Sequence, residues 1–310
     1  MSQFKNLLLA TSMLLATTAS GHAEALNVVA SFKPVHSLVA AVMQGVGTPY
    51  LMVKGAASPH TYSMTPSDAE ALQNADAIFW VGHEFETFLD KPIDALGNKA
   101  TVISFEESEG INKLPLREGG SFDEHGHEGK AAHEAKAGHE EHDLHAWMDP
   151  QNAKIIVSQI AETLAAKDPA NAAAYKANAG KINAALDALE VEITATLAPV
   201  KGRPFITFHD AFQYFEKRFG VEASGSITVN PDTAPGAARI AELQAKMKSL
   251  NAACVFAEPN FELKIINAII EGSNAKTASL DPEASALAEG PELYFQSLRE
   301  IAKAMRECLE

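Results

Sequence analysis

Residues 168–197 read DPANAAAYKANAGKINAALDALEVEITATL. Within this stretch Tyr175, Ile182, Leu186, Leu189, Ile193 and Leu197 follow at spacings of 7, 4, 3, 4 and 4. Those spacings put all six on one stripe of an α-helix. Asp168-Pro169 predicts an N-cap and a first helical residue, and Pro199 and Gly202 predict the end. At 1.5 Å per residue, Pro169 to Leu197 would span roughly 44 Å. A rod of that length, with no Gly/Ser hinge, predicts a stiff connection between whatever lies on either side.

Both sides show the same alternation of short apolar, β-branched runs with helical patterns. The strand candidates before the rod are Leu26–Ser31, Tyr50–Val53, Ala77–Val81 and Thr101–Ser104. Those after it are Phe205–Phe208, Ser226–Val229, Ala253–Ala257 and Thr277–Leu280. Helices are predicted near 34–46, 66–75, 84–95, 150–167, 210–219, 235–250, 261–271 and 291–308. Strand–helix alternation twice over predicts an α/β fold of two lobes, each a mostly parallel sheet flanked by helices. The boundaries expected are an N-terminal lobe over 24–168, a linking helix over 169–199 and a C-terminal lobe over 200–310. The length of 310 residues and the 46% hydrophobic content suit two such lobes. A formal net charge of −15 argues against nucleic acid as a partner.

Residues 1–23 are different. Lys5 is the only charge before Glu24, the runs Leu7–Ala10 and Met13–Ala16 are apolar, and Ser20-Gly21-His22-Ala23 is a small-residue exit. This is the pattern of a cleaved secretory signal, too short and too interrupted for a comfortable membrane span. Export to an oxidising compartment predicts that the only two cysteines, Cys254 and Cys308, form a disulfide.

One segment fits neither lobe pattern. Within residues 121–144 lie His125, His127, His133, His139 and His142, five of the eleven histidines, among seven acidic residues. It has no periodic apolar face with which to offset chain entropy, and so predicts a mobile loop. His-rich tracts bind divalent metals, here as secondary, weak sites.

Three other histidines share a setting. His60 precedes a helix start at Thr65-Pro66-Ser67-Asp68, His145 precedes Asp149-Pro150, and His209 ends the strand Phe205–Phe208. Asp281 ends the last strand in the same way. Ligands of open α/β sheets bind beyond the carboxyl ends of strands, so a cleft between lobes can gather all four. Three imidazoles with a carboxylate or water make a tetrahedral zinc site, and nitrogen donors favour zinc over manganese. Asp149 and Asp210 are expected as N-caps, His36 and His83 as structural or surface histidines, and Glu258 beside the site without being a ligand.

These stretches, taken in order, carry a resemblance. They are Ser31-Phe32-Lys33-Pro34-Val35-His36, His60-Thr61-Tyr62-Ser63, His145-Ala146-Trp147-Met148-Asp149-Pro150, Phe208-His209-Asp210-Ala211-Phe212 and Phe256-Ala257-Glu258-Pro259. The chain resembles the zinc-uptake solute-binding proteins of ABC transporters, the ZnuA type within the cluster A-I (cluster 9) metal-binding family. The resemblance implies two lobes joined by one long helix, and a Zn2+ held between them by His60, His145 and His209. It also implies a periplasmic monomer that performs no chemistry and delivers zinc to a membrane permease. Manganese-binding relatives usually carry a carboxylate where this chain has His209. Some zinc-binding relatives carry Glu just before the first ligand; here that residue is Pro59, so the fourth position falls to Asp281 or to water, and Asp281, at the family's carboxylate position, is the expected fourth ligand. A secreted zinc hydrolase and a manganese-binding adhesin of the same fold are the alternatives.

Overall fold

The computed structural model describes residues 26–117, 142–228, 235–259 and 263–310. The signal segment, His125, His127, His133 and His139 lie outside these residues.

The first lobe contains β1 (Val28–Ala30), α1 (Lys33–Val42), β2 (Tyr50–Leu51), α2 (Pro66–Asn74), β3 (Ala77–Trp80), α3 (Asp90–Leu96) and β4 (Thr101–Ser104). A 3-10 turn, Ala146–Met148, leads into α4 (Pro150–Lys167), and α5 spans Ala172–Leu197. The second lobe contains β5 (Phe205–His209), α6 (Gln213–Phe219), β6 (Gly225–Thr228), α7 (Ala237–Leu250), β7 (Cys254–Ala257), α8 (Leu263–Ile270), β8 (Lys276–Ser279) and α9 (Leu293–Leu309).

Each lobe holds one four-stranded sheet, ordered β2-β1-β3-β4 and β6-β5-β7-β8. Every strand pair is parallel. The central strands β1, β3, β5 and β7 are buried throughout, as parallel strands covered on both faces must be. Strand order reverses between β1 and β3 in one lobe and between β5 and β7 in the other. Those are the switch points where open parallel sheets leave a crevice at their carboxyl ends.

The stripe on α5 is buried along its whole length, from Tyr175 to Leu197. It joins α1, α4 and α9 in one core shared by both lobes, while smaller cores lie on the outer face of each sheet. Asn178 on α5 donates to the carbonyls of Val42 (3.0 Å) and Gln44 (2.8 Å), pinning the helix to the end of α1. The expected cap at Asp168 is not formed. Asp168 instead ends α4, and its carboxylate accepts from the Asn171 backbone, the Asn171 side chain and the Tyr175 hydroxyl. That turn delays the start of α5 to Ala172. Cys254 and Cys308 are disulfide-bonded, joining the start of β7 to the end of α9. No helix among the described residues is long and apolar enough to cross a membrane.

The helix expected over 84–95 begins only at Asp90. The reason is Glu86, whose buried carboxylate accepts from the Val81 amide (2.9 Å) and the Gly82 amide (3.0 Å) and holds the chain in a turn. Burial pushes this carboxyl up from 4.5 to about 8. Between those values the folded chain holds a proton that the unfolded chain has lost, so stability falls as pH rises through the window. Glu86→Gln keeps an acceptor and removes the charge. It is expected to raise the melting temperature at pH 8.5 and to have little effect at pH 5. An equal effect at both pH values would contradict the burial argument.

Candidate metal centre

His60, His145 and His209 reach the cleft from three different supports. His60 lies in a turn after β2, where its amide donates to Ser58 Oγ at 3.3 Å. The turn is anchored by the capping box of α2. Thr65 and Asp68 exchange side-chain and backbone bonds, and the Tyr50 and Tyr62 hydroxyls donate to the same carboxylate (both 2.9 Å). His145 sits at the start of the 3-10 turn. Its backbone N–H donates to Asp143 Oδ1 at 2.9 Å, and its Nδ1 lies 2.8 Å from the same oxygen. A carboxylate on Nδ1 assigns the proton there and leaves Nε2 as the metal-facing lone pair, the arrangement that orients histidine ligands. His209 ends β5, at the switch point, with its Nδ1 3.5 Å from Glu258 Oε1 on the segment leaving β7.

The structure brings these three rings together. One ligand nitrogen from each lies within 4.8 Å of the others, and the ring centroids are 4.9–6.2 Å apart. His145 and His209 are buried and His60 is partly buried. Phe85 packs edge-on against His60 (4.7 Å) and His145 (5.7 Å), and Trp147 closes the same wall. The Nε2 atoms of His60 and His145 are buried with no hydrogen-bond partner. A buried imidazole nitrogen without a partner costs free energy unless something electrophilic meets it. Burial, reinforced by the imidazoles of His145 and His209, pushes His60 down to about 3, so its ring is neutral and competent to ligate. Burial also pushes the Glu258 carboxyl up to about 8.

Asp281 is not part of this cluster. Its Oδ2 accepts from the Ser285 hydroxyl and the Ala286 amide, both at 3.0 Å, and so closes its own loop. His142 pairs with Pro115 in an isolated antiparallel bridge. Asp149 caps α4 as expected, accepting from the Gln151 amide. Asp210 caps nothing. It binds Arg117, which also reaches Glu216, because α6 starts three residues later at Gln213. His36 is buried, its Nε2 3.2 Å from the Pro49 carbonyl oxygen, and His83 is exposed beside Asp90. Sequence reasoning missed Asp143, counting it among the acidic residues of the tract. Its place two residues before His145 was the available signal.

The model of the ZnuA family, zinc-uptake complex component A, periplasmic, matches residues 28–308. The high-affinity zinc uptake system protein ZnuA of Brucella abortus (strain 2308) is 49% identical over 332 residues, covering 100% of this chain and 99% of its own. A crystal structure of ZnuA superposes with a TM-score of 0.78 at 26% identity, covering 93% of this chain and 100% of that one. A zinc-bound deletion mutant of ZnuA superposes with a TM-score of 0.75 at 25% identity, covering 93% and 99%.

Proposed function

Because this chain belongs to the ZnuA family of zinc-uptake components, solute-binding transport proteins and not enzymes, we propose that it captures Zn2+ in the periplasm and delivers it to an ABC-type permease. The observation that carries this reading is the convergence of three imidazoles, each from a different segment, in a cleft between two α/β lobes. Three nitrogen donors at that separation need to close by only about an ångström to surround a zinc ion at bonds of roughly 2.0–2.1 Å. All-nitrogen donation favours zinc over manganese. The cargo is held by ligation alone. Residues 1–23 act as the export signal and are absent from the mature protein.

The His-rich segment collects zinc beside the cleft. Its flanks support this: Arg117 binds Asp210, the neighbour of His209, and His142 lies three residues before His145. His125, His127, His133, His139 and His142 bind weakly, since ordering a polar segment around an ion costs roughly 1–2 kcal/mol per fixed residue. Their benefit is a raised local concentration at the cleft mouth.

Titration calorimetry of the mature chain and of a chain lacking residues 123–142 tests both parts. The expected result is one tight zinc event per chain in both proteins, not displaced by equimolar manganese, with weaker events only in the full-length chain. Loss of the tight event in the shortened chain would overturn the division of labour. A preference for manganese would overturn the cargo.

A further inference from the structure

Arg117 lies on the segment that follows β4 in the first lobe, and its side chain reaches into the second. We propose that Arg117 is a positioning residue of the metal centre: its guanidinium sets the spacing of His145 and His209, and with it the affinity for zinc. This inference rests on the three-histidine reading of the site and adds the group that holds two of the three rings at their separation.

Arg117 Nε donates to Asp210 Oδ2 at 3.0 Å, and Nη2 donates to the other oxygen of the same carboxylate. Nη1 and Nη2 donate to the two oxygens of Glu216, at 2.7 and 3.1 Å. One planar fork therefore holds two carboxylates of the second lobe. Asp210 is the residue after His209. Glu216 is on α6 and also accepts from the Ala223 amide at 3.1 Å, which fixes the far end of the fork. The side chains of Arg117, Asp210 and Glu216 are 19%, 6% and 2% exposed. At that degree of shielding, loss of the guanidinium leaves two neighbouring carboxylates without a counter-charge, and Asp210 without its anchor.

The backbone that carries Arg117 is bound to the backbone that carries His145. The Asp143 amide donates to the Leu114 carbonyl at 2.8 Å, and Pro115 and His142 form their antiparallel bridge beside it. The Tyr214 hydroxyl, on α6, accepts from the Leu114 amide (3.0 Å) and donates to the Asp143 carbonyl (2.7 Å). Asp143 in turn orients the His145 ring. A continuous path of hydrogen bonds thus runs from His145 through Asp143 and residues 114–117 to Arg117, and from Arg117 to the neighbour of His209. The two rings at its ends have centroids 4.9 Å apart, the shortest of the three separations in the site.

The fork is specific to arginine. Lysine keeps the charge but offers a single point donor, which cannot hold four carboxylate oxygens in one plane. Arg218 provides a comparison within the same molecule. It also crosses between the lobes, from α6 to Asp149, with Nε and Nη2 both at 2.7 Å from the carboxylate oxygens. Asp149, however, caps α4 and lies four residues beyond His145. Of these two arginine forks between the lobes, Arg117 is the one that grips the residue next to a ligand.

The test compares Arg117→Gln, Arg117→Lys, Arg218→Gln and His209→Ala in the mature chain. The readouts are zinc competition against a chromophoric chelator, the visible spectrum of the Co2+-saturated protein and thermal melting of the metal-free protein. Arg117→Gln is expected to weaken zinc binding at least tenfold and to alter the cobalt bands, because the rings are no longer held at one separation. Arg117→Lys is expected to lose at least threefold, and it carries the test if Arg117→Gln does not fold. Arg218→Gln is expected to lower the melting temperature, yet to change zinc affinity less than threefold and to leave the bands in place. Normal zinc affinity with unchanged cobalt bands in the Arg117 variants, while His209→Ala is impaired, would overturn the role of Arg117 and leave the histidine site standing. A weaker site with unaltered bands would overturn it too, since the loss would then be one of stability. Equal zinc losses in Arg117→Gln and Arg218→Gln would do the same, because any contact between the lobes would then serve. If His209→Ala binds zinc normally, the three-histidine reading itself fails.

Discussion

Replacing His60 and His209 together by alanine is expected to lower zinc affinity by at least a hundredfold. Each imidazole is one of three nitrogen donors within 4.8 Å of one another. Removing one leaves an incomplete tetrahedron that water fills poorly, at a cost of at least about 1.4 kcal/mol, or tenfold. The pair is chosen because the two residues come from opposite lobes, His60 from the turn after β2 and His209 from the end of β5. Losing both leaves His145 as the sole nitrogen ligand and removes the bridge between lobes. Neighbouring ligands couple, so the double loss need not equal the sum of the single losses. Competition with a chelator of known affinity measures the change. An unaltered affinity in the double variant would place the zinc elsewhere.

The second large effect concerns stability. Reduction of the Cys254–Cys308 bridge is expected to destabilise the chain by up to about 4 kcal/mol, the chain-entropy value for a closed loop of this size. The two cysteines are 54 residues apart and both are buried. The loop they close includes α8, β8 and most of α9. α9 in turn packs in the core shared with α5 and α1, so opening the loop releases the element that joins the second sheet to the first lobe. Reduction leaves both thiols in place and creates no cavity, which makes it cleaner than substitution. Thermal melts with and without reductant should differ by on the order of 10 °C. A difference of a degree or less would show that the packing of α9 alone holds the C-terminus.

Much of this was legible in the chain. The stripe from Tyr175 to Leu197 is visible in periodicity, and burial of every member follows from it. The central strands β1, β3, β5 and β7 were legible because parallel strands buried on both faces read as short apolar runs. The three histidines were legible as residues that end a strand or precede a helix cap, positions that face a cleft in this architecture. What failed did so where a side chain overrides local pattern. Glu86 turns the backbone and shortens the helix expected over 84–95. Asp168 binds Asn171 and Tyr175, which shifts the start of the long helix. Asp210 spends its charge on Arg117, far away in the chain. Such long-range pairings leave no spacing signal. The approach of Glu283 to His60, from the far end of the chain, is of the same kind.

The most direct measurement is the anomalous difference density of a crystal grown with one equivalent of zinc, collected on both sides of the zinc absorption edge. The expected map has one dominant peak per chain, about 2.0–2.1 Å from one ring nitrogen each of His60, His145 and His209. A dominant peak at any other group of residues, with these three rings unliganded, would contradict the assignment.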